Sequence, residues 1–493
     1  MYYLGVDVGS SSIKIALVEK STGKSVGVVK EPSEEMGIQS LKKGWAEQHP
    51  EDWWKYVCNG IERIKKAQGI SKKDIVGVGI AYQMHGLVLI DSKGNSLRKA
   101  IIWCDSRAVE IGNRAYENIG KEKCDTQLLN APGNFTASKL AWIKENEPER
   151  YQEVHKFMLP GDYIAFRFSN KVNTTIPGLS EGIFWDFTTD QISDMVLNHY
   201  GFESDMIPEI VDTFSIQCRV SDEGAIQSGL EAGTPILYRA GDQPNNALSL
   251  NVFQPGEVAA SAGTSGVMYA ITNSLSVKEA SRLNNFAHVN YHVGKKKNIG
   301  KLLCVNGAGI QYRWLLNNLA VSSYEEMNQL AAEAGVGSDG VCVIPFGNGA
   351  ERMLNNSDVG THFLNLNLNK HSKSHLCRAA LEGIAFSFVY GMEIMEADGV
   401  DPKIIRAGND NLFRSEIFAT TIANLLDKEI EIYETTGAIG AGRACAITEM
   451  GYEAFSEYIG HDHLKTFTPI QNKAQYQKAY GDWKKELNLI INN

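Results

Sequence analysis

Several short stretches of this chain bring together residue types that can do chemistry. The first runs from Asp7 to Lys14, where a turn of Gly and Ser follows a carboxylate and precedes a lysine. Such a turn offers successive backbone N–H groups and hydroxyls, which suits a phosphate chain. Asp7 is the type of carboxylate that holds a phosphate-bound Mg²⁺, mostly through water, and Lys14 balances charge. An ordinary polar hairpin would read the same way, and GxxxxGK[ST] does not occur in the chain, so this is no Walker A loop. The second stretch, Gly263-Thr264-Ser265, overlays on Gly9-Ser10-Ser11 at an offset of 254 residues, about half of the 493. An internal duplication with two facing turns would clamp one phosphate chain.

Three further segments carry polar groups where apolar ones would be expected. Gly241-Asp242-Gln243-Pro244 follows a β-rich run, and the C-terminal ends of strands in parallel α/β sheets are where ligands bind. Asp242 there is either a reactive carboxylate or a helix N-cap worth ~1 kcal/mol, and the two roles are compatible. Gln83-Met84-His85-Gly86 interrupts the apolar segment from Val76 to Ile90, so its polar groups must meet partners or a cavity unless His85 lies on a surface turn. Trp103-Cys104-Asp105-Ser106-Arg107 ends a run from Ala100 with a carboxylate and a guanidinium that either face a ligand or pair with each other. His288/His292 and His371/His375 have metal-like spacing but no convincing third ligand, and solvated side chains are expected.

The elements that must position these groups alternate between strand and helix. Tyr3 to Val18 reads as a hairpin around the first turn, and Val258 to Thr272 as a hairpin around the second. Trp53, Trp54, Val57, Ile61 and Ile64 recur at helical spacing after Pro50, predicting a helix to Ala67. Strands are predicted over Ile75–Ala81, Leu87–Ile90, Ala100–Trp103 and Pro235–Ala240, with a helix from Asp242 through Asn251. Residues 133–147 and 191–200 read as helical, and 160–190 as loop-rich with short strands. Downstream come strands at Leu302–Asn306, Val341–Pro345, Ile404–Ala407 and Ile430–Tyr433. Helices follow Gly307-Ala308-Gly309 through Leu319, span His375–Ala397, where few charges imply burial on most faces, and span Gly437–Met450. The segment from Gln471 to Asn493 reads as an amphipathic helix that docks on the second half or on a neighbouring molecule. This is α/β alternation, with a boundary near Gln254-Pro255-Gly256.

Composition narrows the function classes. With 48 Lys and Arg against 58 Asp and Glu, the net charge of −10 disfavours a polyanion-binding surface, so no nucleic acid partner is expected. Eight cysteines, none closer than twenty residues to the next, form no CxxC pair and read as reduced thiols. No apolar stretch is long enough to span a bilayer, no signal peptide is evident, and the expected compartment is the cytoplasm.

Taken together and in this order, the segments resemble the FGGY carbohydrate kinases, within the sugar kinase, Hsp70 and actin superfamily, over nearly the whole chain. Asp7 to Lys14 looks like the family's first phosphate loop and Gly263-Thr264-Ser265 like its second. Gly307-Ala308-Gly309-Ile310-Gln311 is similar to its nucleotide-contacting turn, and Ala407 to Ser415 to its adenosine motif. The resemblance implies an α/β fold of two actin-like (ribonuclease H-like) domains around a central cleft. Residues 1–252 would then bind sugar and carry the first phosphate loop, and residues 253–493 would bind nucleotide. Gly44-Trp45-Ala46-Glu47-Gln48, the Gln83 turn and the Trp103 to Arg107 segment look most like the bacterial xylulokinase branch, which implies D-xylulose phosphorylated at its 5-hydroxyl.

By position, the resemblance makes Asp242 the base and Asp7 the carboxylate that organises Mg²⁺. It makes Gln83, Met84, His85, Asp105, Asp242 and Gln243 sugar contacts. Ser10, Ser11, Ser12, Lys14, Gly263, Thr264, Gly307, Gln311, Gly408 and Asn409 would hold ATP. Where many members begin the adenosine motif with three glycines, this chain reads Ala407-Gly408-Asn409-Asp410-Asn411, which leaves base contacts beyond Gly408 open. A homodimer is common in the family. Two rivals stand beside this reading: a kinase for another ketose or polyol such as ribulose, rhamnulose or glycerol, and a non-catalytic nucleotide-switched protein on the same scaffold.

Overall fold

The computed structural model describes residues 1–471 and 473–492. Six strands form a first sheet: β1 (Tyr2–Val8), β2 (Ile13–Glu19), β3 (Ser25–Glu31), β4 (Ile75–Tyr82), β5 (Phe214–Arg219) and β6 (Pro235–Gly241), in the order β5-β6-β4-β1-β2-β3. Seven form a second: β7 (Glu257–Ala262), β8 (Gly266–Thr272), β9 (Asn284–Ala287), β10 (Ile299–Val305), β11 (Ile404–Gly408), β12 (Ile430–Tyr433) and β13 (His463–Phe467), in the order β9-β10-β8-β7-β11-β12-β13. Without β9, the orders superpose strand for strand, β3-β2-β1-β4-β6-β5 on β10-β8-β7-β11-β12-β13. The parallel pairs fall at the same places, β1 with β4 and β4 with β6, then β7 with β11 and β11 with β12. The duplication suspected from two small turns is thus a duplication of whole sheets. The antiparallel edge strand precedes its neighbour in the first half and follows it in the second.

Helices cover both sheets. In α1 (Pro50–Gln68) a proline opens the first turn, Glu51 and Asp52 lie at its positive end, Lys65 and Lys66 at its negative end, and Gly69 closes it with φ 64°. Its apolar side, Trp53 to Ile64, is buried against the first sheet, each side chain worth about 1.5–3 kcal/mol. Then come α2 (Thr136–Asn146), α3 (Pro160–Ser169), α4 (Ile176–Glu181), α5 (Asp242–Ser249), α6 (Gly309–Asn318), α7 (Tyr324–Glu333), α8 (Lys373–Ala397), α9 (Gly437–Ala444) and α10 (Ala474–Ile491). Burial on most faces of α8 is as expected.

Two of these helices join the halves. α5 leaves the first sheet and packs on β7 and β8, whereas α9 leaves the second sheet and packs on β1, β2 and β4. Gly5 and Gly79 permit that approach, since a Cβ there would stand 1.8 and 1.9 Å from the Ala438 and Ala441 carbonyls. α5 and α9 also meet each other, the Asn245 amide donating to the Gly437 carbonyl at 2.9 Å.

Some sequence expectations need correction. Residues 160–190 hold two helices, α3 and α4, because their prolines occupy first-turn positions and start helices. The second also has Thr175 as its N-cap, accepting from the Gly178 amide. The helix expected over 191–200 begins at Asp194, capped by Ser193, after Gln191–Ile192 pairs as a short strand with Trp185–Asp186. The strand at Ala100 ends at Ile101. The glycine-rich helix stops at Ala444, and a second one, Ile447–Ile459, follows. His288 is fully buried against Tyr269 and Phe253 rather than solvated, and burial holds its imidazole down at about 3. Of the C-terminal expectation, Asn472 and Asn493 lie outside the described residues. The remainder docks within the chain, Trp483 donating to the Val343 carbonyl at 2.9 Å.

Candidate active site

Register brings the chemistry of the first half to one edge. Val8, Tyr82 and Gly241 stand opposite one another across the parallel strands β1, β4 and β6. The residues that follow them, Gly9 to Ser12, Gln83 to Gly86, and Asp242, therefore emerge side by side at the carboxyl ends of the strands, where α/β sheets bind ligands. Asp7 and Lys14 are cross-strand partners in the first hairpin, with carboxylate and ammonium 3.9 Å apart. The turn between them is closed by the Gly9 amide on the Ser12 carbonyl at 3.1 Å. It is braced from outside: Gln48 donates to the Ser10 carbonyl at 2.6 Å and the Trp103 indole to the Ser10 hydroxyl at 3.3 Å.

The second half repeats the device. Its hairpin turn, Gly263 to Ser265, is fastened to the start of α6, with the Gly309 amide on the Gly263 carbonyl at 2.9 Å and the Ile310 amide on the Thr264 carbonyl at 3.0 Å. A Cβ at Gly309 would lie 2.3 Å from that Gly263 carbonyl, so the turn and the helix meet only through a glycine. Beside them opens a cavity of about 750 Å³, lined among others by Thr264, Tyr312, Tyr324, Asn328, Asn411 and Arg414. The Tyr312 and Tyr324 rings stack at 5.9 Å. The size suits a nucleoside, and Arg313 and Arg414 add positive charge.

Burial tunes the acids. Asp242 is the first residue of α5, and the N-cap position before it is held by Gly241, so Asp242 is not the N-cap. Burial and the nearby Asp7 charge push its carboxyl up to about 7, against hydrogen bonds from the Gln243 amide and side chain. Burial also raises Asp7, opposed by Lys14. The His85 imidazole is held down at about 3 by burial and by Lys139, so it is neutral. Its Nδ1 donates to the Glu181 carbonyl at 3.0 Å, and its ring packs on Phe135 and on Phe286 of the second sheet at 4.8 and 5.2 Å. The second half thus closes one side of the Gln83 turn. Gln83 is 2% exposed, and neither end of its amide has a partner among the described residues. Such a group is costly unless a ligand or water completes it.

A base poised near neutrality beside a phosphate-type turn, and a second such turn on a duplicated sheet, point to phosphoryl transfer. Residues 2–249 match the FGGY family of carbohydrate kinases, N-terminal domain, and residues 258–448 match its C-terminal domain. The chain belongs to this family. It is 26% identical over 487 residues to the xylulose kinase of Bacillus subtilis (strain 168), covering 97% of this chain and 94% of that protein. The crystal structure of a xyloylose kinase from Brucella ovis superposes with a TM-score of 0.88 at 24% identity, covering 99% of each chain. That of Plasmodium falciparum glycerol kinase with ADP does so with a TM-score of 0.88 at 19% identity, covering 99% of this chain and 98% of that one. The fold is accordingly that of two actin-like domains, and the protein is a carbohydrate kinase.

Against the FGGY expectations, the structure gathers Asp7, Ser10 to Ser12, Lys14, Gln83 to His85, Asp242 and Gln243 at one edge. Gly263, Thr264, Gly307, Gln311 and Gly408 lie around the turns of the other half. Gln311, in the first turn of α6, is 4% exposed with both amide ends unpartnered among the described residues. Asp105 departs from its expected role as a sugar contact. It is fully buried, binds Arg107 through both oxygens and accepts the Ala46 amide at 2.5 Å, so the bland ion-pair reading holds. Asn409 also departs, because its amide is taken by Glu434 at 2.8 Å, while Asn411 and Arg414 line the cavity.

Other charged groups, of which the sequence did not single out Arg98, Glu351 and Lys139, surround these. Glu47 pairs with Arg98 and Arg107, whose guanidinium lies 3.7 Å from the Trp45 ring centroid. Glu351, pushed up to about 7 by burial, accepts the Asn306 and Gly307 amides at 2.9 and 2.7 Å. Lys139 is fully buried beneath His85. All of α2 from Thr136 to Ala141 is buried, Thr136 and Ser138 included, and the sequence around Lys139 carries no sign of it.

Among the described residues no three His, Cys, Asp or Glu are placed to cage a metal. Among the same residues no helix is long and apolar enough to cross a membrane.

Proposed function

We propose that the enzyme phosphorylates D-xylulose at its 5-hydroxyl with MgATP, and that Asp242 is the general base. The observation that carries the mechanism is the Asp242 carboxyl, raised to about 7 at the shared edge of the phosphate-type turn and the Gln83 turn. A general base works best with a pKa near the operating pH. The sugar hydroxyl gives its proton to the Asp242 carboxylate as its oxygen attacks the γ-phosphorus in line, and the bond to the departing ADP oxygen breaks. The Gly9 to Ser12 and Gly263 to Ser265 turns offer amides and hydroxyls to the phosphate chain, and Lys14 balances its charge. Magnesium bound at Asp7 would supply charge neutralisation across the phosphate oxygens.

Gln83, Met84, His85 and Gln243 form the sugar side. His85 is neutral, so it shapes the pocket and exchanges hydrogen bonds without adding charge. The likeness to xylulose kinases supports D-xylulose, and the glycerol kinase fold match keeps other polyols as the nearest competitors. Closure of the two halves over the sugar would exclude water as a competing nucleophile. A coupled ADP-release assay with MgATP across D-xylulose, L-xylulose, D-ribulose, L-ribulose, L-rhamnulose, L-fuculose, glycerol and no sugar tests this. D-Xylulose should lead by at least tenfold in kcat/KM. Another sugar in the lead would replace the substrate and keep the base, and no sugar-stimulated release would overturn the reading.

A further inference from the structure

The Gln83 turn contains a strained residue. His85 has φ 61°, the left-handed region that a residue with a Cβ avoids because the Cβ crowds the following carbonyl. Such conformations persist where surrounding contacts over-determine them, and they gather at functional sites. Besides the Glu181 carbonyl and the Phe286 ring, the start of α2 holds His85 and the residue after it. Lys139 donates its Nζ to the His85 carbonyl at 2.7 Å, Thr136 donates to the Gly86 carbonyl at 3.3 Å, and the Phe135 ring supports the imidazole at 4.8 Å. Lys139 shows no exposed surface at all.

A lysine is an expensive choice for a fully buried helix position, where a leucine of similar volume would pack without desolvation loss. No ion pair accounts for it among the described residues: Asp105, the carboxylate that acts on it most, is engaged by Arg107, and Glu181 acts on it more weakly. Burial lowers the Lys139 ammonium to about 7. A neutral amine still has N–H donors, so the bond to the His85 carbonyl survives in either form. What remains specific to lysine is a donor at the end of a long stem, reaching one carbonyl of the strained turn.

We propose that Lys139 is a positioning residue of the sugar site: by binding the His85 carbonyl it holds the Met84-His85 turn in the left-handed conformation that shapes the pocket floor. This rests on reading that turn as the sugar floor. It does not make Lys139 a catalytic residue, since it acts through His85.

The test compares Lys139→Met, which keeps length and removes the donors, with Lys139→Gln, which keeps a donor. In Lys139→Met the KM for the sugar should rise about ten- to a hundredfold, the loss expected for one charged hydrogen bond, while the KM for ATP stays within about twofold. Lys139→Gln should recover most of that loss. Crystal structures of the wild type and Lys139→Met should show His85 leaving the left-handed region in the variant. An unchanged sugar KM, a rise shared equally by ATP, or His85 still at φ near +60° in Lys139→Met would each overturn the proposal. If Lys139→Met does not fold, the same split is read in Lys139→Gln against the wild type, where a sugar KM and His85 conformation nearer the wild type than those of Lys139→Ala support it and equality with Lys139→Ala overturns it. If the wild type phosphorylates none of the sugars, the proposed function fails on its own, and the pair of crystal structures still decides the role of Lys139.

Discussion

Replacing Asp242 by Asn should weaken the enzyme and strengthen the fold with one change. In the folded protein the carboxyl stands at about 7 instead of its ordinary 3.8, because it is buried and faces Asp7. At ~1.36 kcal/mol per pKa unit, keeping it ionised at pH 8 costs on the order of 4 kcal/mol. Asparagine has the same shape and no charge, and leaving its amide imperfectly paired costs about 1–3 kcal/mol, so a net stabilisation of roughly 1–3 kcal/mol remains. The folded-state value lies above the unfolded one. The burden is therefore absent below about pH 4, grows as pH rises towards 7, and is constant above. Thermal melts should therefore place the variant above the wild type at pH 8 and below it near pH 4, where the amide cost remains and the burden is gone, with the two curves crossing in between. Turnover in the coupled assay at saturating sugar and MgATP should fall by about 10²–10⁴, the range for loss of a positioned base, with nucleotide affinity unchanged or slightly improved. Turnover within tenfold of the wild type would refute the assignment of the base. A variant that melts below the wild type at pH 8 would refute the electrostatic reasoning.

Other outcomes follow from the same geometry. The kcat/KM of the wild type should decline about tenfold per unit below roughly pH 7, as Asp242 takes up a proton and ceases to act as a base, which a pH–rate profile checks. Gly309→Ala places a Cβ 2.3 Å from the Gly263 carbonyl and must part the second turn from α6, so steady-state kinetics should show the KM for ATP raised at least about tenfold and the KM for sugar little changed. Arg443→Ala removes the buried partner of Asp462 and a 2.7 Å bond to the Gly23 carbonyl that ties α9 to the turn between β2 and β3, and denaturant titration should show a loss of about 3–5 kcal/mol.

How far the sequence could be read depended on the range of the signal. Helix α1 was legible because proline, acids, bases and glycine all fall at their local positions and the apolar side recurs at helical spacing. The Asp7 and Gly263 turns were legible because hairpins are local. Asp105 was left open between a ligand and Arg107 two positions on, and what fills its remaining valence, the Ala46 amide, lies 59 positions away with nothing near Asp105 to announce it. Asn409 failed in the same way, since Glu434 claims it across the β11–β12 edge. The cavity beside the second turn draws Tyr312, Tyr324 and Asn411 from three separate segments, and no single segment carries its pattern. His288 read as a loop histidine, and only the strand β9, laid against the first half, makes its surroundings dry.

The duplication also shows how two similar halves came to divide the chemistry. At the offset that aligns Gly9 with Gly263, Asp7 corresponds to Ser261 and Lys14 to Met268. The helix that follows the last parallel strand begins with Asp242 in the first half. In the second half the corresponding helix α9 is capped by Thr436, whose hydroxyl accepts the Ile439 amide, and the preceding Glu434 is turned away onto Asn409. Both acids, and the lysine beside one of them, therefore belong to a single edge, while the other half keeps the turn and the cavity without them. Concentrating the acids is what lets Asp7 and burial together raise Asp242 towards neutrality, because one like charge spread across the two halves would fall off with distance and with screening. Gly437 then closes the arrangement from the opposite half: a Cβ there would stand 2.9 Å from the Asp7 carboxylate, so the crossing helix meets that acid with its barest residue. The Asp242 carboxyl stands near neutrality because the fold was doubled and its acids were not.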